Sequence, residues 1–315
     1  MAGMLEGHRS REGHDVPDID LRHLRYLIAV AADGAITSAA DRLGMTQPAL
    51  SRAIRALEAD VGVPLLVRRA RGVALTEAGS VLVAEARELT DRVDAAVNRA
   101  RRAAEPEVRL RVSARGCDIA VLQDLTRSYN NDHADAHAEA LVVDGNLQSE
   151  LLRTGGTELA LIRAPFDADG LDSDVVAVEP RVVLLPSNHP LADRGVVDRA
   201  ELAADPVVVW ASDGPAERAY ALGVDRGDVP AVAGPEVGDV LQLLARVRLG
   251  DGIAFVATSL QHAVALPPDV RMVPVNGLSA AELRLVWRAH ETSPHIARFV
   301  RHAVDGVPVI SSEAR

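Results

Sequence analysis

Gln47, Ser51, Arg52 and Arg55 lie at the start and along the polar side of one short amphipathic segment. These residue types form hydrogen bonds and do not break bonds. Gln pairs with adenine edges, Arg with guanine edges or phosphates, and Ser with either. A second basic group follows at Arg68-Arg69-Ala70-Arg71-Gly72, where three guanidinium groups crowd one turn and suit phosphate oxygens. Thr37 and Thr46 add hydroxyls at two helix starts, and with Arg68 they are assigned mainly to phosphates. The chemistry this set offers is recognition of double-stranded DNA. The same residues also fit a plain solvated arginine face, so spacing alone leaves both readings open.

The elements that must hold these residues are legible around them. Ile36, Ala39, Ala40 and Leu43, then Ala49, Leu50, Ile54, Leu57 and Val61, recur at helical spacing. Gly44-Met45 separates the two runs, Thr46 stands as N-cap, and Pro48 falls in the first turn of the second helix. Two helices joined by a tight turn make a helix-turn-helix, whose second helix enters the major groove. Apolar runs on either side of the arginine turn, Leu65-Leu66-Val67 and Val73-Ala74-Leu75, predict a β-hairpin wing. Residues 21–32 predict a covering helix. From Thr76-Glu77 a proline-free helix is expected to run to about Ala104, with Val81, Ala84, Leu89, Val93, Ala96 and Val97 as a near-heptad seam. Such a seam on a long helix with no local cover fits a dimer contact.

These stretches carry a resemblance. Asp20-Leu21-Arg22-His23-Leu24-Arg25-Tyr26-Leu27-Ile28-Ala29-Val30-Ala31, Thr37 to Leu43, Thr46 to Glu58, Gly62 to Arg68 and Leu75 to Gly79 are similar, in order, to the N-terminal motifs of LysR-type transcriptional regulators. Leu66 departs from the pattern, where the family has Phe, and keeps a large apolar plug. The resemblance implies a winged helix-turn-helix over residues 20–76 that binds an inverted-repeat operator, and a linker helix over 77–104 that pairs two subunits. It also implies a homotetramer built as a dimer of dimers, and contact with RNA polymerase if the protein is an activator.

Composition sets bounds on the rest. The chain has 315 residues and a net charge of −11. Residues 20–75 nevertheless hold eight arginines against five acids, so a mildly basic head sits on an acidic body. Every basic side chain other than histidine is arginine. No apolar run approaches the ~18–20 residues of a membrane helix, and residues 1–19 read as a polar, disordered tail without a secretory core. The single Cys117 rules out an internal disulfide, and a cytoplasmic location is expected.

After Glu105-Pro106-Glu107, read as a hinge, strand and helix patterns alternate, which predicts an α/β domain with a mostly parallel sheet. Strands are expected at 108–112, 138–143, 159–163, 175–178, 181–185, 207–210, 231–233, 253–256, 270–275 and 283–288. Helices are expected from Asp118, at 146–154, near 214–221, at 236–248 and from Pro294. Leu185 to Ala192 and Val247 to Ala254 are similar to further LysR-type stretches, so the resemblance spans roughly 20–303. It implies a periplasmic-binding-protein-like effector domain over 107–315. Subdomain I would comprise about 107–179 and 280–305, subdomain II about 180–279, with a ligand cleft between them.

Ligands of open α/β sheets sit at carboxyl ends of strands. That rule selects Arg115, Gly116 and Cys117, then Asn146, Arg163 and Ser212 for a small-molecule effector. Arg115 and Arg163 facing the cleft would clamp an anion bidentately, whereas either one as a surface or subdomain-bridging residue would not. Cys117 reads as a small buried residue in preference to a redox sensor. His133 and His137 have a metal-compatible spacing but sit in a polar stretch without a third ligand, so no metal or cofactor is expected. No nucleophile elbow, Walker loop or dinucleotide fingerprint occurs, so no enzyme activity is expected. The competing reading is a solute-binding module whose head makes protein contacts.

Overall fold

The computed structural model describes residues 19–70, 72–104, 107–144, 147–211, 214–227 and 229–306. Arg71, Asn146, Ser212, the Glu105-Pro106 step of the expected hinge, residues 1–18 of the expected tail and the end of the chain after residue 306 lie outside them. The chain divides into two units, Met1–Asp94 and Ala95–Arg315.

The first unit holds α1 (Leu21–Asp33), α2 (Ile36–Arg42), α3 (Gln47–Val61), the hairpin β1 (Leu66–Arg69) and β2 (Gly72–Leu75), and the start of α4 (Glu77–Ala103). Leu24, Leu27, Val30, Ala39, Ala40, Leu50, Ile54, Leu57, Leu65, Val83 and Ala86 make its core. The helical spacing of these residues therefore decides which face of each helix turns inward. Asp20 caps α1 by accepting from Arg22 N at 2.8 Å. Thr46 occupies the N-cap position of α3 with extended backbone angles, but its hydroxyl makes no capping bond. Glu58 ties α3 to the hairpin, because its Oε1 accepts from Leu65 N at 2.8 Å and Leu66 N at 3.1 Å.

The second unit contains two sheets. The first has the order β4 (His137–Val142), β3 (Arg109–Ala114), β5 (Leu159–Arg163), β13 (Ala281–Arg288), β6 (Leu171–Glu179). Strands β3, β4 and β5 run parallel, but β13 is antiparallel to both β5 and β6. Four of the five strands therefore point the same way, as a mostly parallel sheet requires, and β13 is the one reversed strand, since the chain leaves the sheet after β6 and re-enters it from the opposite end. Helices α5 (Ile119–Asp132) and α10 (Pro294–Gly306) cover one face through Leu122, Leu125, Tyr129, Ile296 and Phe299. The other face of β5 and β13 packs Ala160, Ile162 and Val286 with Leu152 of α6 (Gln148–Arg153).

The second sheet runs β11 (Ala254–Ala257), β7 (Arg181–Pro186), β12 (Val270–Asn276), β8 (Val197–Asp198). The parallel pair β9 (Pro206–Trp210) and β10 (Val232–Val237) joins it through a bridge between Val207 and Ile253. Apolar side chains on both faces, Val183 and Leu185 on one and Leu184 on the other, place β7 at the centre. Helix α8 (Val240–Leu249) starts four residues later than expected, because Glu236 and Val237 belong to β10 and Asp239 supplies the cap. Two short helices, α7 (Pro215–Ala221) and α9 (Leu260–Ala263), complete this half. No helix among the described residues is long and apolar enough to cross a membrane.

Candidate nucleic-acid interface and effector cleft

On α3 the buried Leu50, Ile54 and Leu57 face the core, which leaves Gln47, Arg52 and Arg55 exposed and Ser51 half-buried. Arg55 folds back along the helix, donating from Nε to Ser51 O at 3.2 Å, with its Nη2 3.5 Å from Ser51 Oγ. Ser51 is thereby placed to orient Arg55. Thr37 and Thr46 are exposed, as are Arg68 and Arg69 on β1. Arg52, Arg68 and Arg69 form no ion pair among the described residues, so their charge is uncommitted within this unit.

The wing is pinned to the helices by one close approach. Val73 N donates to Gly34 O at 2.8 Å, and Gly72 adopts φ +100° beside the same carbonyl. A Cβ at residue 72 would lie 2.3 Å from Gly34 O, so only glycine fits. The arginines of β1 thus keep a fixed position relative to α3.

In the second unit Arg115, Gly116 and Cys117 follow β3, Arg163 ends β5, and Cys117 packs against the Leu260 cluster of the second sheet. Arg163 is engaged by its own chain. Its Nε and Nη2 donate to Asp118 Oδ1 at 3.0 and 2.6 Å, Nη1 to Glu179 Oε1 at 2.9 Å, and Nη2 to Ser259 Oγ at 2.8 Å. Ser259 in turn donates to Glu179 from its backbone N at 2.6 Å and from Oγ at 2.7 Å. Burial opposes the Arg163 charge, but Asp118 and Glu179 outweigh it and hold the guanidinium pKa above its ordinary value. Arg163 therefore does not present the free fork that a two-arginine anion clamp requires. It joins β5 and the first helical turn after β3 to the crossover residue Glu179 and to the α9 start, the subdomain-bridging alternative.

Arg115 differs. It is half-buried, and its buried Nε finds no hydrogen-bond partner among the described residues. Its charge is close enough to act on Cys117. Burial first, then Asp118, push the Cys117 thiol up to about 12, and its Sγ–H faces Asp118 Oδ2 at 3.3 Å. A thiol held protonated in this way is a poor nucleophile.

Two buried arginines hold α7 beside the crossover. Arg181 donates to Tyr220 O at 2.5 Å and stacks 3.7 Å from the Tyr220 ring centroid, while Arg199 donates to Leu222 O and Gly223 O. Cations at these terminal carbonyls oppose the helix dipole where it is negative. Sequence spacing missed Asp118, Glu179, Ser259 and Arg181. Glu179-Pro180-Arg181 at the crossover was the one available signal. His133 stacks on Tyr129 at the end of α5 and His137 opens β4, so the pair does not share a helix face. Among the described residues no group of three or more His, Cys, Asp or Glu is arranged to hold a metal.

Comparison with known proteins covers both units. Residues 21–80 match the model for bacterial regulatory helix-turn-helix proteins of the lysR family, and residues 103–308 match the LysR substrate binding domain. The chain is 32% identical over 298 residues to the HTH-type transcriptional regulator YnfL of Escherichia coli, covering 92% of this chain and 99% of that one. It is 32% identical over 281 residues to the regulator ShiR of Corynebacterium glutamicum, covering 85% and 92%. Among solved structures it is similar to CbnR, a LysR family transcriptional regulator, with 26% identity, a TM-score of 0.57, and 92% and 100% of the two chains covered. Full-length CbnR complexed with its target DNA matches at 27% identity and a TM-score of 0.51, again covering 92% and 100%. With an exposed arginine-bearing recognition helix, a pinned wing and a two-sheet effector domain, the chain belongs to the LysR family of DNA-binding transcriptional regulators.

Proposed function

We propose that the protein binds an inverted-repeat operator as a dimer joined through α4 and responds to a small-molecule effector in the cleft of its second unit. The observation that carries this reading is the seam on α4. Val81 (61% exposed), Leu89 (48%), Val93 (39%) and Val97 (43%) recur along the helix and lack cover among the described residues. A second copy of the same helix would bury them and set two recognition helices in a two-fold arrangement. Leu241 and Leu249 of α8 and Val232 of β10 are also exposed, and their burial against a further copy would give a dimer of dimers. Gln47, Ser51, Arg52 and Arg55 are the proposed base readers, with Thr37, Thr46, Arg68, Arg69 and Arg71 on phosphates.

In the cleft, Arg115 is the proposed anion-binding cation and Arg163 the residue that holds the subdomains together around it. Gly116, Cys117, Asn146 and Ser212 are proposed as neighbouring loop contacts. The protein would act in the cytoplasm, and as an activator it would meet RNA polymerase. Selection of sites from random duplex DNA at two salt concentrations tests the DNA reading. A two-fold symmetric site whose affinity falls with salt is expected, because phosphate contacts release counterions. Recovery of sites with no two-fold symmetry would refute the dimeric arrangement.

A further inference from the structure

The last turns of α4 carry a second face, opposite in character to the apolar seam. Ala95, Asn98 and Arg102 follow one another at helical spacing and meet the end of α6. A helix terminus leaves carbonyls that its own ladder cannot fill, and here named side chains fill them. Leu152 O accepts from Arg288 Nη1 at 2.9 Å, Thr154 O from Asn98 Nδ2 at 2.9 Å, and Gly155 O from Arg102 Nη1 at 2.8 Å. Glu158, 5% exposed at its side chain, then gathers Arg102 Nε at 3.0 Å, Arg111 N at 2.7 Å and Arg111 Nη2 at 3.3 Å. Gly155 sits at φ +71°, and a Cβ there would come 3.1 Å from Ala95 Cα. Apolar surfaces slide over one another with little change in energy. A buried carboxylate holding two guanidinium groups and a backbone N–H allows one register and one rotation.

At its other end α6 is equally fixed. Gln148, fully buried at the first helical position, donates to Leu161 O at 2.7 Å on β5. Leu147 and Gln148 directly follow Asn146 in the sequence, a residue proposed above as an effector contact. One six-residue helix therefore runs between the β5 contact of Gln148 and the end of α4.

We propose that Asn98, Arg102 and Glu158 form a socket that makes the end of α4 a fixed part of subdomain I, with α6 as the strut that carries a change in the cleft to the dimerisation helix. The inference rests on the reading above, in which α4 pairs subunits and the cleft takes the effector. Asn98 and Arg102 act as positioning residues and touch neither DNA nor ligand.

The test uses the full-length protein as wild type, Asn98→Ala/Arg102→Gln, and Arg99→Gln as a control on an exposed neighbour. Amide exchange by mass spectrometry over residues 95–103 should accelerate at least about tenfold in the double variant and stay unchanged in the control. On duplexes selected by the wild type, the double variant should bind within about threefold of wild-type Kd, with an altered footprint span. Unchanged exchange would show that other contacts hold the helix end and would overturn the socket. Faster exchange with an identical footprint would reduce it to packing and overturn the transmission role. Arg102→Gln alone replaces the double variant if tryptophan fluorescence shows the latter unfolded. Absence of a two-fold site for the wild type would count against the dimeric reading, and the exchange measurement would still decide the socket.

Discussion

Replacing Arg163 by methionine separates two roles that the sequence left open. In the structure this guanidinium satisfies Asp118, whose side chain is 1% exposed, and Glu179, whose side chain is 15% exposed. Methionine keeps the apolar stem but strands a buried carboxylate. Breaking a buried pair by removing one partner costs about 3–5 kcal/mol. A receptor arginine waiting in an open cleft would cost about 0–1 kcal/mol when removed, as exposed charges do. Both tryptophans, Trp210 and Trp287, lie in the second unit, so urea unfolding followed by tryptophan fluorescence reports that unit selectively. A loss of about 3–5 kcal/mol is expected, with partial recovery in Arg163→Met/Asp118→Asn, because the stranded charge is then removed. A loss under about 1 kcal/mol would refute the assignment of Arg163 as a tie between subdomains.

Other expectations follow from single contacts. Cys117, with its thiol raised to about 12, should react with iodoacetamide at pH 8 at least about a hundredfold more slowly than a free thiol of pKa ~8.5. Because the folded value lies above the unfolded one, the stability this thiol contributes is complete below about pH 9 and is lost as pH rises towards 12, measurable as a falling urea midpoint. Gly72→Ala should displace the wing from Gly34 O and weaken binding to all DNA sequences alike in a filter or anisotropy assay, leaving the tryptophan-monitored transition in place. Gln47→Ala should cost about 1–3 kcal/mol on the selected site with little change on random DNA, whereas Arg68→Ala should weaken both and lower the salt slope by about 1. Equal losses on both DNAs in the Gln47 variant would count against base reading.

The head was legible because its information is local. Leu50, Ile54 and Leu57 mark the buried face of α3 by period, and that fixes which residues can reach DNA. The α8 start was misread because Val237 falls in phase with Val240, Leu244 and Val247 while belonging to β10. The Asp239-x-x-Gln242 cap was the better signal, and Asp239 Oδ1 does accept from Gln242 N. Strand direction was not legible for β13, since an alternating run reads the same in either sense. Nor was the environment of Arg163, whose partners stand 45 residues before it and 16 and 96 residues after it. Pairings at such separations are set by topology, which local pattern does not carry.

The position of β13 also bears on how the chain is made. It lies between β5 and β6, so an interior position of the first sheet is filled by a strand that follows every other strand of the described residues. Until residues 281–288 leave the ribosome, β5 and β6 each present an open edge with unpaired N–H and C=O groups. Subdomain II, continuous from β7 to β12, has all its strands earlier. Folding during synthesis is therefore expected to complete the later half of the cleft before the earlier half, with nascent subdomain I dependent on chaperones that mask strand edges. A nonsense mutation just ahead of β13 would leave these edges open permanently, and aggregation of the truncated chain is its expected fate.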